Sequence, residues 1–165
     1  MPELPEVEHV KRGIEPYAIN TTINKITFSE NVKKGKEDNR ETIIKGMTLD
    51  SFQRLTEGYT ITKIERRSKY IVFYINRDSE QRILISHLGM AGGFFVVDHL
   101  EQIAVPNYRK HWQVIFELDN GKKLIYSDIR RFGEIRNVSS FDAYPSFLSI
   151  APEPFDEDAM QHFLD

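Results

Sequence analysis

The sequence predicts a mostly β fold with an N-terminal helix: a β-sandwich or flattened barrel of about eight strands flanked by helices. Three observations carry this. Short runs rich in β-branched and aromatic residues recur between Ile23 and Val138, each bounded by polar or turn-forming residues. Helical spacing of apolar residues is confined to the two ends of the chain. Asp119-Asn120-Gly121 supplies a hairpin turn suited to positive φ. At 165 residues the chain is long enough to bury a proper core.

Taken in order, Val7, Val10 and Ile14 fall at i, i+3 and i+7 and predict a short amphipathic helix ending between Gly13 and Pro16. Strands are predicted over 23–28, 60–66, 70–75, 82–86, 93–97, 112–118, 122–127 and 133–138. A longer polar loop, Asn76 to Glu80, joins the third strand to the fourth. Residues 29–48, with Lys33, Lys34, Lys36, Glu37, Asp38, Arg40 and Glu41 among them, are polar and poorly periodic, and predict a mobile excursion with a short helix at its end. Ala151-Pro152-Glu153-Pro154 breaks regular structure. Asp156-Glu157-Asp158 then reads as the acidic first turn of a helix carrying Met160, Phe163 and Leu164. The expected organisation is a β-sandwich domain over 1–150, then a linker and the start of a helical second domain over 151–165.

Composition narrows the function classes. The chain is 40% apolar and 28% charged, as in an ordinary water-soluble globule. No apolar run approaches the roughly 20 residues that span a bilayer, and the N-terminus lacks the basic-then-apolar layout of a signal peptide, so a cytoplasmic protein with no membrane partner is expected. Without cysteine there are neither disulfides nor thiolate metal sites, and His9, His87, His99, His111 and His162 are too scattered to form a ligand cluster. No metal is expected in this chain. The net charge of −3 argues mildly against nucleic acid. Its distribution is kinder, because Glu153, Asp156, Glu157, Asp158 and Asp165 load the C-terminal end, and without those five acids the balance is +2. Arg66, Arg67 and Lys69 cluster, as do Arg109, Lys110 and His111, and Arg130 and Arg131.

The opening Met1-Pro2-Glu3-Leu4-Pro5-Glu6-Val7-Glu8 is the most informative stretch. On helix physics alone, Pro2 and Pro5 with acidic neighbours merely start a helix. If Met1 is removed, however, Pro2 becomes a free secondary amine beside a carboxylate. A terminal amine titrates at roughly 7.7–8.0 against about 10.4 for lysine, so far more of it is nucleophilic at neutral pH. Its adduct with a sugar carbon opens to an iminium that must be cationic, an electron sink for elimination. A retained Met1 would make the same nitrogen an inert amide.

The spelling of that start resembles the bacterial formamidopyrimidine-DNA glycosylases, which excise oxidised purines from DNA. Three more stretches match in order: Arg66-Arg67-Ser68-Lys69-Tyr70, His87-Leu88-Gly89-Met90-Ala91-Gly92 and Asp128-Ile129-Arg130-Arg131-Phe132-Gly133. The resemblance runs from Met1 to about Phe155 and covers that family's N-terminal catalytic domain. Leu4 and the Arg-Arg-Phe-Gly motif set the chain apart from the related endonuclease VIII branch.

The resemblance implies base-excision repair with abasic-site lyase activity on double-stranded DNA containing 8-oxoguanine or formamidopyrimidines, by a monomer at the bacterial nucleoid. It implies that Pro2 attacks C1′ of the flipped nucleotide, that Glu3 moves protons on the sugar, and that Glu6 is a supporting carboxylate. Lys69 would bind phosphate beside the lesion and assist proton transfer. Met90, Arg130 and Phe132 would fill the void left by the extruded base, and His111 would contact DNA, although its neighbours Asn107, Tyr108 and Trp112 depart from the family's spelling. The family continues into a helical bundle and a four-cysteine zinc finger, so zinc is expected in the full-length family but its ligands are absent here. The ending is expected to be a cut through a longer protein. The alternative is a catalytically incompetent fragment or damage-recognition relative without those DNA-clamping modules.

Overall fold

The computed structural model describes residues 4–150, with side chains described to residue 149. Pro2, Glu3 and the expected helix beyond Asp156 lie outside the described residues. Helix α1 (Leu4–Ala18) precedes strand β1 (Ile23–Phe28), helix α2 (Glu30–Glu37), strand β2 (Ile43–Lys45) and helix α3 (Leu49–Arg54). Then come β3 (Thr60–Arg67), β4 (Tyr70–Arg77), β5 (Glu80–His87), β6 (Gly92–Val97), α4 (Pro106–Lys110), β7 (Trp112–Leu118), β8 (Lys123–Asp128), β9 (Glu134–Val138) and α5 (Pro145–Ile150). Single 3₁₀ turns occupy Leu100–Gln102 and Phe141–Ala143.

The strands form a sandwich. One sheet has the order β1-β7-β8-β6 and the other β2-β9-β5-β4-β3, and the two do not close into a barrel. Between them Phe73 meets Phe94 at 5.4 Å and Phe94 meets Tyr126 at 4.9 Å, ring centre to ring centre. Helix α1 closes one side through buried Val7, Ile14 and Ala18, with Val10, the other apolar position read from the sequence, partly buried against the same core. The outer face of the five-stranded sheet carries a second, smaller apolar cluster of Val72, Ile83, Ile85 and Phe147, so strands there read as nearly continuous apolar runs.

Three expectations need correction. Helix α1 runs two residues past Pro16, because buried Ala18 must reach the core and its carbonyl accepts the Thr21 hydroxyl at 2.7 Å. Residues 29–48 carry a helix and a strand: Ser29 caps α2 by accepting from the Val32 amide, Val32 is fully buried, and β2 pairs parallel to β9. This makes nine strands among the described residues, the ninth being β2. The loop expected from Asn76 to Glu80 is a two-residue turn at Asp78-Ser79, with Asp78 at φ +57 and Arg77 paired to Glu80. Backbone pairing there outlasts the apolar face that marks a strand in the sequence.

Register decides what gathers at each end of the sandwich. Tyr70 pairs His87 and His87 pairs Glu134 in one sheet, while Gly92 pairs Asp128 and Trp112 pairs Ser127 in the other. One end therefore collects the 68–69 turn, the 88–91 loop, α4 with His111, and the 129–133 loop. All three internal motifs singled out in the sequence lie there.

Candidate functional site

The 129–133 loop is built around a buried carboxylate. Asp128, with no exposed surface, accepts the backbone N–H of Arg130 (3.2 Å) and Arg131 (2.9 Å) on Oδ1. Its Oδ2 accepts Gly133 N–H and the Tyr126 hydroxyl, both at 2.9 Å. Burial and the neighbouring Asp128 charge push the Tyr126 phenol far above its usual range, so it stays a donor. Arg131, at φ +59, is held in the left-handed region by this arrangement.

The 88–91 loop is locked onto the first. Gly89 adopts φ +65 with its Cα against the backbone of Phe132 and Gly133, and a Cβ on Gly133 would run into the Tyr126 hydroxyl and the His87 carbonyl. Neither position admits a side chain without moving backbone. His87 is fixed as well: its Nδ1 accepts from Gly89 N–H at 3.0 Å, its ring meets Tyr70 at 5.0 Å, and burial lowers its pKa. A neutral imidazole with its proton on Nε2 follows from that acceptor role.

On this rigid base the tips project outward. Met90 is 50% exposed and Phe132 60%, unusual for large apolar residues in a protein with a well-filled core. The Arg130 guanidinium lies 5.1 Å from the centre of the Phe132 ring. His111 caps α4, is partly buried, and its carbonyl accepts the Asp128 N–H at 3.0 Å, so the α4 loop is tied to the same framework.

Lys69 occupies the turn between β3 and β4, beside Ser68 at φ +53, and is partly exposed. The adjacent arginines diverge as strand alternation requires. Arg67 is buried, donating from Nε to Glu65 (2.8 Å) and lying 4.0 Å from the Phe141 ring centre. Arg66 donates from Nε to Glu8 of α1 (2.9 Å) and from Nη1 to the Ser68 carbonyl (3.1 Å), which ties the first helix to the Lys69 turn. Burial would raise the Glu8 pKa, but hydrogen bonds from Arg66 and Arg12 and the charge of Lys11 outweigh it, and the carboxyl is held below its ordinary value.

Glu6 is exposed and makes no hydrogen bond or ion pair among the described residues. With Pro5 and His9 it lines a cleft of about 340 Å³ whose other wall includes Leu88, Met90 and Tyr108. The start of α1 thus sits next to the Met90 loop. The structure brings Met90, Arg130, Phe132, His111 and Lys69 to one end of the sandwich with the first turn of α1; Pro2 and Glu3 immediately precede Leu4 and lie outside the described residues. Asp128, Tyr126 and Glu8 escaped the sequence reading. Asp128 stood inside a recognised motif, but its role needs the fold, since the groups it serves are backbone amides.

The family model described as the formamidopyrimidine-DNA glycosylase N-terminal domain matches residues 1–135. A formamidopyrimidine-DNA glycosylase of Streptococcus thermophilus is 38% identical over 156 residues, covering 93% of this chain and 50% of that protein. The Pasteurella multocida enzyme of the same name is 33% identical over 164 residues, covering 99% of this chain and 53% of its own length. A crystal structure of Lactococcus lactis Fpg in complex with abasic-site DNA aligns with a TM-score of 0.67 at 29% identity, covering 90% of this chain and 48% of that one. The chain spans about half the length of the curated relatives it matches. No helix among the described residues is long and apolar enough to cross a membrane. On the family match, and with the ordered motifs assembled at one end of a two-sheet sandwich, the chain belongs to the formamidopyrimidine-DNA glycosylase family, through that family's N-terminal domain.

Proposed function

We propose that this chain carries the catalytic half of a monomeric bacterial base-excision-repair enzyme that removes oxidised purines from nucleoid DNA and then nicks the abasic site. One observation supports this most: Met90, Arg130 and Phe132 project from two loops locked together by Gly89, Gly133 and Asp128, beside the first turn of α1. A flipped base leaves a hole whose unstacking costs a few kcal/mol per step. An exposed aromatic, a thioether and a forked guanidinium on a rigid mount are suited to filling it.

With Met1 removed, the Pro2 nitrogen forms a bond to C1′ as the bond from C1′ to the base breaks, and the base leaves with the proton that the alkylated nitrogen gives up, which restores the nitrogen lone pair. The ring C1′–O4′ bond then opens, O4′ takes a proton from Glu3, and the nitrogen lone pair completes the iminium. Loss of a C2′ proton turns the iminium into an enamine, whose electron pair returns to form C2′=C3′ as the C3′–O bond breaks and the 3′ phosphate leaves; water then releases the conjugated iminium from the nitrogen. Lys69 holds phosphate beside the lesion, and His111 adds a backbone contact. The zinc finger implied for full-length relatives needs four thiolates; this chain has no cysteine, its residues do not fit that ion, and no step here runs through a metal.

Full-length protein with a Pro2 terminus confirmed by intact mass should be trapped covalently by borohydride on a duplex containing 8-oxoguanine opposite cytosine. Absence of an adduct from protein so processed would overturn the Schiff-base chemistry.

A further inference from the structure

A second crevice, of about 260 Å³, opens between α2 and the 129–133 loop. Lys34, Arg40, Arg130 and Arg131 line it together with Asn31 and Thr42, and no carboxylate does. Cationic lining alone would mean little. Another crevice on the molecule is lined by Lys45, Arg82 and Arg136, but there Arg82 is paired to Glu80 at 3.7 Å and Arg136 to Glu134 at 3.1 Å. In the α2 crevice only Arg40 has an acidic partner among the described residues, Asp38 at 3.0 Å, and that pair is well exposed.

The backbone of this crevice is specific. Gly35 packs so closely on Thr42 that a Cβ would collide with its hydroxyl, and the Arg40 N–H donates to the Gly35 carbonyl at 2.7 Å, which returns the chain after α2 across the helix. On the other side, extended backbone would send consecutive side chains to opposite faces. The left-handed Arg131, held by Asp128, lets Arg130 and Arg131 line the same crevice. A costly backbone conformation at a non-glycine residue is thus coupled to convergence of like charges, which calls for an anion.

We propose that this crevice seats a phosphate of the DNA backbone away from the lesion, held by Lys34, Arg40 and Arg131, with Asn31 and Thr42 as neutral partners. The proposal rests on the DNA-directed reading above. It adds a contact supplied by the 29–42 segment, which none of the four recognised motifs includes. Arg130 and Arg131, which line this crevice, belong to the same loop as the exposed Phe132 wedge, and this shared loop argues for a DNA phosphate rather than free phosphate.

The test is an amide-resonance titration of ¹⁵N-labelled protein at low salt with a short undamaged duplex, beside an arm with inorganic phosphate at equal phosphate concentration. Gly35, Thr42 and Arg131 should shift with duplex and stay still with phosphate. Equal shifts in both arms, or none with duplex, would overturn the proposal. In parallel, Lys34→Ala/Arg40→Ala should lower the slope of log Kobs against log salt by about 0.9, the loss of one phosphate contact. An unchanged slope in a folded double variant would also overturn it. Undamaged duplex keeps this separate from the catalytic reading: excision without crevice shifts sinks the crevice alone, and crevice shifts without excision sink the repair activity alone.

Discussion

Two Arg-Arg pairs occupy the same end of the sandwich and are used in opposite ways. In Arg66-Arg67 the backbone is ordinary β-strand and both guanidinium groups are committed internally, one to Glu8 and the Ser68 carbonyl, the other to Glu65 and the Phe141 ring. In Arg130-Arg131 the committed groups are the backbone amides, taken by Asp128, while the side chains are exposed. When a fold satisfies the main chain of a loop through one buried carboxylate, the side chains of that loop are released for a ligand. The difference separates an arginine that holds the protein together from one whose side chain is left open to solvent.

The widest gap should appear in stability. Arg67→Ala removes a buried guanidinium with its charged hydrogen bond to Glu65 and its contact with the Phe141 ring, while Glu65 keeps Lys63 at 3.1 Å and the Tyr74 hydroxyl, and should cost about 3 kcal/mol. For a domain of this size that is a fall in Tm on the order of 10 °C. Arg130→Ala should stay within about 0.5 kcal/mol of the parent and weaken duplex binding instead. Thermal melts beside duplex titrations decide it; similar melting losses for both would erase the distinction.

Next comes the carboxylate that makes the second pair possible. Asp128→Ala orphans three amides and the Tyr126 hydroxyl around a buried site, and should cost about 3 kcal/mol even with partial relaxation. It should also lower duplex affinity, although Asp128 itself need touch no DNA and its removal takes away a negative charge. An affinity gain in a variant that melts normally would show that charge, rather than loop geometry, governs binding.

Much of this was legible in the sequence and some was not, for physical reasons. Strands β1 and β7 read to the residue, because apolar runs bounded by turns are local signals. The divergence of Arg66 from Arg67 followed from alternation alone. Helix α2 was missed because a single buried side chain, Val32, and the small Gly35 anchor it among charges. Strand β2 was missed because three residues pairing with β9, some ninety positions later, leave no local trace. At the site, the motif residues were visible, but the service that Asp128 renders to amides two, three and five positions on appears only once the loop is folded.

A smaller effect concerns Phe132, which sits at the edge of the second pair. Its 60% exposure says that Phe132→Ala should leave stability within about 0.5 kcal/mol, whereas Phe94→Ala, at 4% exposure, should cost about 3–5 kcal/mol. In full-length protein Phe132→Ala should slow excision from intact duplex at least about tenfold, about 1.4 kcal/mol of barrier, and spare scission at a preformed abasic site. Equal losses on both substrates with a lowered Tm would make Phe132 a structural aromatic and return the 129–133 loop to the first category.

The smallest effect tests the first pair through pH. Glu8 links α1 to the Lys69 turn through Arg66, and its folded-state pKa lies below its ordinary 4.5, with the opposing desolvation outweighed by the arginine hydrogen bonds. Folding therefore favours the ionised carboxylate. Its contribution is fully present above about pH 4.5 and drains away as pH falls through the lowered folded-state value. With a side chain 26% exposed and shared among Arg66, Arg12 and Lys11, the contribution should stay below about 1 kcal/mol. Glu8→Gln should lower stability slightly at neutral pH and make the acid limb of a urea-stability profile shallower, without flattening it, because Glu65 also titrates low. An acid limb of unchanged slope would mean that the Glu8 carboxylate adds nothing to the link between α1 and the Lys69 turn, and that α1 is positioned there without help from this ion pair.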